Sequence, residues 1–97
     1  MKFSKLIYIN NFKRWRILNY YIIVFKNTYD AMAAEKRMKE LNFNFRIMPT
    51  PTSITMSCGI CIRIEQEEEI HTIIKNNIIE FKNIYFRDND GYIIVER

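Results

Sequence analysis

Apolar and polar residues alternate along the chain with two different periods, and these periods predict two helices and four or five strands. Residues 20–25 form an unbroken β-branched and aromatic run, which is typical of a strand buried on both faces. Residues 43–48 and 60–65 alternate between apolar and polar, so each segment predicts a strand with one buried face. Residues 84–86 and 92–95 predict two final strands, joined by a turn at Asp88-Asn89-Asp90-Gly91.

Two segments instead have the helical period. Residues 29–41 place Ala31, Ala34, Met38 and Leu41 on one stripe, and Asn27 or Thr28 can cap the start of that helix. Asn42 suits the left-handed position after its end. Three glutamates at 67–69 favour the start of the second helix. Its predicted apolar stripe consists of Ile70, Ile73, Ile74, Ile78 and Phe81. The order β-α-β-β-α-β(-β) predicts an α+β, ferredoxin-like (split β-α-β) two-layer sandwich. Both helices would then cover one face of a mainly antiparallel sheet.

The segment before and within the third strand contains both cysteines. Alternation predicts that the isoleucines at 60, 62 and 64 face the helices, so Cys61 and Arg63 should point to the other, open face of the sheet. Cys58 lies where the preceding loop meets the strand. We expect Gly59 to free Cys58 from strict alternation.

The basic excess of the chain, a net charge of +4, lies entirely in its first residues. Residues 1–19 contain Lys2, Lys5, Lys13, Arg14 and Arg16 and no acidic residue, whereas the other 78 residues carry 10 basic and 11 acidic side chains. The predicted organisation is a basic, poorly packed N-terminal extension at 1–19 and a single domain at 20–97. The near-neutral domain, whose aromatic residues cluster as core residues do, predicts no nucleic-acid binding.

The sequence contains no apolar run long enough for a transmembrane segment. Two cysteines without an export signal predict a cytoplasmic, reducing location. In that setting the pair is expected to be reactive or metal-binding rather than a structural disulfide.

The segment with the strongest indication of a chemical function is Ser57-Cys58-Gly59-Ile60-Cys61-Ile62-Arg63. A cysteine accepts a sulfur or selenium atom as a thiolate, which nearby positive charge or N–H groups stabilise. In the carrier hypothesis, the Cys58 thiol is presented to solvent at the strand edge and holds the atom as a persulfide or selenosulfide. Arg63 favours the thiolate, and Cys61 resolves or releases the product. Hydroxyls of Thr55 and Ser57 would add hydrogen bonds to the sulfur.

The same residues leave three other interpretations open. Cys58 and Cys61 are small apolar residues that can simply fill space in a non-catalytic interaction or regulatory module. The two thiols can form a redox dithiol, although such pairs usually precede a helix rather than a strand. Met56, Cys58 and Cys61 also offer the thioether and thiolate ligands that Cu(I) prefers. These residues favour a carrier or accessory protein over a stand-alone enzyme, and they predict no cofactor.

Four motifs in order resemble a family of small bacterial selenium/sulfur carrier-like proteins, most strongly over residues 20–80. They are Tyr21-Ile22-Ile23-Val24-Phe25, Ala31-Met32-Ala33-Ala34-Glu35-Lys36, Met48-Pro49-Thr50-Pro51 and the cysteine segment at 57–63. The resemblance implies a compact α+β domain with Cys58 as the carrier residue. The carrier hypothesis calls for a cysteine desulfurase-type donor and an acceptor protein as partners. In the interaction hypothesis, the open sheet face pairs with a partner or with a second copy of the chain.

Overall fold

The computed structural model describes residues 19–54 and 58–95, which form two helices and a five-stranded antiparallel sheet. The α+β prediction is confirmed. The predicted extension at 1–19 lies, apart from Asn19, outside the described residues. The elements are β1 (Tyr20–Val24), α1 (Thr28–Glu40), β2 (Phe45–Pro49), β3 (Ile60–Ile64), α2 (Glu67–Asn76), β4 (Asn83–Asp88) and β5 (Gly91–Ile94).

The sheet has the strand order β2-β3-β1-β4-β5, with β1 at its centre between β3 and β4. Each neighbouring pair of strands is antiparallel. Ile22, Ile23 and Val24 of β1 are all buried, although they point alternately to the two faces of the sheet. Burial on both faces explains why this strand needs an unbroken apolar run.

The two helices pack against the same face of the sheet. Ala34 and Met38 of α1 share one buried cluster with Ile70 and Ile73 of α2. The strands contribute isoleucines to that cluster, among them Ile23, Ile62, Ile64 and Ile84. The small side chain of Ala34 at this contact allows α1 to approach the sheet closely.

A second, smaller cluster lies on the opposite face of the sheet, which we call the open face. Its buried members are Tyr20, Ile22, Val24, Ile54 and Cys61, with Met48, Tyr85 and Tyr92 packed at its edge. Ile54 comes from the segment between β2 and β3 and covers part of this face. The buried residues of α1 and α2 all belong to the other cluster.

The helix ends follow side-chain and backbone chemistry at asparagines. The Asn27 side chain accepts a 2.8 Å hydrogen bond from the Asp30 backbone N–H, which confirms the predicted cap of α1. Asn42, just after α1, has the predicted left-handed backbone with φ 62°. Asn77 is also left-handed, with φ 49°, and ends α2 before Ile78.

The prediction that the apolar stripe of α2 runs on to Phe81 as helix is therefore wrong. Ile78 and Phe81 follow the helix as irregular chain but still pack against the helix-side cluster.

Neither α1 nor α2 is long and apolar enough to cross a membrane, and the described residues contain no other helix.

Candidate functional site

The two cysteines lie on opposite faces of the sheet, although only two residues separate them in sequence. Cys58 belongs to the helix-side cluster together with Ile62 and Ile64, so it continues the alternation of β3 rather than departing from it. Cys61 belongs to the open-face cluster. The expectation that Gly59 frees Cys58 from alternation is wrong, because Cys58 already points to the side that alternation assigns to it.

Cys58 lies beside the start of α1. Its Sγ is 3.9 Å from the Oγ1 of Thr28, the first residue of that helix. The unpaired N–H groups in the first turn of a helix, and the positive end of its dipole, favour negative charge nearby. The structure therefore places the start of α1, rather than Arg63, next to the Cys58 sulfur.

The Cys58 side chain is nearly inaccessible to solvent. Only 4% of the residue is exposed, and its neighbours in the cluster include Phe25, Ala31 and Ile62. The expectation of a thiol presented to solvent is wrong for this conformation, because the edge of the helix–sheet core extends over the sulfur.

Thr50 fixes the backbone that leads into β3. Its Oγ1 donates a 3.0 Å hydrogen bond to the Cys58 carbonyl, and its backbone N–H donates a 3.0 Å hydrogen bond to the Gly59 carbonyl. The flanking residues, Pro49 and Pro51, have no N–H to donate, so both bonds come from the one residue of Pro-Thr-Pro that can make them. The sequence analysis did not link this tripeptide to Cys58. The hydroxyl-bearing residues proposed for that role, Thr55 and Ser57, lie outside the described residues.

Cys61 is sealed in the open-face cluster, where its exposure is 0% and its thiol donates a 3.8 Å hydrogen bond to the Pro49 carbonyl. Burial raises the pKa of the Cys61 thiol to about 11, an effect that a hydrogen bond with Thr50 partly offsets and the nearby Cys58 adds to. The Cys61 sulfur is consequently protonated at neutral pH and is a poor nucleophile there.

Arg63 points to the open face, away from Cys58. Its guanidinium carbon lies 3.9 Å from the centre of the Tyr20 ring, and one of its nitrogens lies 2.8 Å from a Glu65 carboxylate oxygen. The structure therefore groups Arg63 with the face that holds Cys61. It does not bring Arg63 to the sulfur of Cys58, for which the sequence analysis had assigned it.

The soft-metal alternative gains no support from the structure. Residues 19–54 and 58–95 contain no group of three or more histidine, cysteine or acidic side chains arranged to hold a metal ion. Cys58 and Cys61 belong to clusters on opposite sides of the sheet, and Met56 lies outside the described residues.

Comparison with known families gives one match over most of the chain. The model of a family described as "Putative Se/S carrier protein-like" matches residues 20–86, from the first residue of β1 into β4. The chain belongs to this family, which confirms the resemblance seen in its motifs. No curated protein and no solved structure gives a significant match to the chain.

Replacing Thr50 by valine tests the link between Pro-Thr-Pro and Cys58. Thr50→Val keeps the side-chain shape but leaves the Cys58 carbonyl without its hydroxyl donor, so we expect a loss of about 1–3 kcal/mol in the free energy of unfolding. Thr52→Val, at an exposed threonine two residues away, should change it by less than about 0.5 kcal/mol. Urea denaturation measures both, and equal effects of the two variants would contradict the assigned role.

The raised pKa of Cys61 predicts a specific loss of stability in alkaline solution. A thiol whose pKa is about 11 when folded and 9.0 in its ordinary state stabilises the fold fully below pH 9. That contribution is lost as the pH rises from 9 toward 11. The free energy of unfolding should therefore fall over this range by roughly 2–3 kcal/mol more in the wild type than in Cys61→Ala. Urea denaturation at pH 8, about 9.5 and about 10.5 measures the free energy of unfolding of both proteins. An equal fall in this free energy with pH in the wild type and in Cys61→Ala would refute the raised pKa of Cys61.

Proposed function

We propose that the protein carries a sulfur or selenium atom on Cys58 and passes it between partner proteins. The observation that carries this proposal is the position of the Cys58 sulfur beside Thr28 at the start of α1, within the region that matches the carrier-like family. The positive end of the helix favours an anionic sulfur at this position. The same electrostatic effect favours the terminal anionic sulfur of a persulfide.

The proposed transfer requires no external oxidant or reductant. The Cys58 thiolate attacks the terminal sulfur of a persulfide on a donor of the cysteine desulfurase type. A new S–S bond forms on Cys58 while the S–S bond of the donor breaks, and the donor cysteine leaves as a thiolate. The second half of the cycle repeats this exchange with a thiolate on the acceptor, and selenium takes the place of the transferred sulfur when the donor supplies it.

The burial of Cys58 means that a partner protein has to expose the sulfur before transfer. Because only 4% of Cys58 is exposed, the transfer requires a local opening around the sulfur when the donor binds. The enclosed site then protects the bound persulfide from small thiols in solution. We propose a carrier that exchanges its atom within protein complexes, in a reducing cytoplasm, rather than a stand-alone enzyme.

We assign Cys61 and Arg63 supporting roles. With its raised pKa, and on the opposite face of the sheet from Cys58, Cys61 packs the open-face cluster instead of resolving the persulfide. Arg63 is held by Glu65 and Tyr20 on that same face. The scaffold we propose is a ferredoxin-like domain spanning 20–97, in which β5 extends the β2-β3-β1-β4 order at one edge.

A sulfur-transfer assay with two matched cysteine variants tests the proposal. Wild-type protein is incubated with a cysteine desulfurase and cysteine, and its intact mass is then recorded without reductant. We expect one added sulfur atom on the wild type and on Cys61→Ser, and none on Cys58→Ser. The proposal fails if no adduct forms on the wild type or if Cys58→Ser accepts sulfur as the wild type does.

The burial of both thiols favours one competing function, that of a non-catalytic interaction module in which Cys58 is only a packing residue. That function predicts the same partner binding for the wild type and Cys58→Ala, and no thiol modification of the folded protein by a desulfurase. An alkylating reagent separates the two in the presence of the donor. A carrier gains Cys58 reactivity when the donor binds, whereas a packing residue stays protected.

A further inference from the structure

The open face of the sheet combines tyrosine rings with arginine side chains, which we call the Tyr–Arg face. Its residues come from all five strands: Tyr20 (β1), Arg46 (β2), Arg63 (β3), Tyr85 and Arg87 (β4) and Tyr92 (β5). None of these side chains lies at the proposed sulfur-transfer site, because Cys58 lies on the other side of the sheet.

Strand pairing arranges these residues in two adjacent rows. In the first row, Tyr20 pairs with Arg87, which pairs in turn with Tyr92. In the second row, Arg46 pairs with Arg63, and Ile22 of the central strand separates Arg63 from Tyr85. Paired residues on neighbouring strands point to the same face, so the first row alternates tyrosine with arginine, and the second row places two adjacent arginines and Tyr85 beside it.

Direct contacts hold several of these side chains in place. The guanidinium of Arg63 stacks over Tyr20 at 3.9 Å, and that of Arg87 lies 5.0 Å from the centre of the Tyr92 ring. The hydroxyls of Tyr20 and Tyr92 are 3.0 Å apart, with the rings edge-on to each other. The buried Tyr20 thus orients its neighbours, and the entropy cost of ordering them for a ligand is already met.

The charge on this face is incompletely balanced. Glu65 pairs with Arg63, but within residues 19–54 and 58–95 neither Arg46 nor Arg87 has a carboxylate partner within 4 Å. The Nε of Arg63 is also buried without a hydrogen-bond acceptor. The face therefore offers unsatisfied cationic donors next to half-exposed Tyr85 and Tyr92.

We propose that the Tyr–Arg face binds single-stranded nucleic acid. Phosphates complement the unpaired guanidinium groups of Arg46 and Arg87, and unstacked bases can pack on a tyrosine ring or on the flat face of an arginine that already lies on one. An acidic protein segment would match the charge but would make no use of the aromatic rings beside it. The presence of tyrosine rings beside the arginines is what distinguishes this surface from a purely electrostatic one.

This inference departs from the sequence-based expectation of no nucleic-acid binding. That expectation rested on the near-neutral charge of residues 20–97 and on the absence of alternating basic and aromatic residues along the chain. Most of these tyrosines and arginines come together from different strands. Their arrangement depends on a pairing register that the linear sequence does not display.

Fluorescence anisotropy with a labelled ten-nucleotide uridine RNA tests the proposal on the full chain. The Arg46→Gln/Arg87→Gln variant should bind at least about tenfold more weakly and show a shallower dependence on salt. Arg37→Gln, at an exposed arginine of α1 on the helix side, should bind as the wild type does. Tyr85→Leu should weaken binding by roughly tenfold, whereas Tyr85→Phe, which keeps the ring, should retain it. Circular dichroism confirms that each variant is folded.

Two further arms exclude simpler sources of affinity. Lys13→Gln/Arg14→Gln/Arg16→Gln removes basic residues of the N-terminal segment, and inorganic polyphosphate supplies charge without bases. The proposal predicts that Tyr85→Leu still weakens RNA binding when the three N-terminal substitutions are present. It also predicts that Tyr85→Leu does not weaken the binding of polyphosphate. It is overturned if the wild type does not bind the RNA, if only the N-terminal substitutions reduce binding, or if Tyr85→Leu weakens polyphosphate and RNA equally.

Discussion

The alternation of side chains along β3 is the constraint on which the chemistry of this protein depends. Residues two apart on a strand share a face, so Cys58 joins Ile60, Ile62 and Ile64 beneath the helices. Cys61 is three residues from Cys58 and therefore points to the open face. This alternation thus places one thiol beside the start of α1 and the other in the apolar cluster of the open face.

The same alternation places the two proposed functions on opposite faces of one sheet. The helix side holds the Cys58 sulfur near Thr28, where Thr50 anchors the backbone at the entrance to β3. The open side collects arginine and tyrosine side chains whose order comes from pairing between strands. A sheet covered by helices on one face can in this way offer a transfer site on one side and a binding surface on the other.

Local signals in the sequence were sufficient for most of the fold. The apolar run of β1, the cap at Asn27 and the left-handed Asn42 all act over a few residues, and each was predicted. The end of α2 was missed because the apolar spacing continues past Asn77, where the backbone turns left-handed. Periodicity reports which residues are buried, and irregular chain after a helix can bury them equally well.

The site was less predictable because its features depend on contacts between distant parts of the chain. Proximity in sequence suggested Arg63 as the partner of Cys58, yet strand alternation separates them and the start of α1, thirty residues earlier, takes that place. Cys58 is likewise buried as a member of the helix-side cluster, which is assembled from distant strands and both helices. The role of Thr50 could have been predicted from the sequence. A threonine between two prolines is the one residue of the three with a backbone N–H to donate.

Thiol oxidation measures the separation of the two cysteines most directly. A disulfide requires Cα atoms within about 7 Å and side chains that point toward each other, a geometry that opposite faces of a strand do not provide. Treatment of the folded protein with a mild oxidant such as diamide, followed by intact mass measurement, should leave both thiols without an intramolecular bond. The urea-unfolded chain should form the bond readily. Rapid formation of a Cys58–Cys61 disulfide in the folded protein would contradict this arrangement.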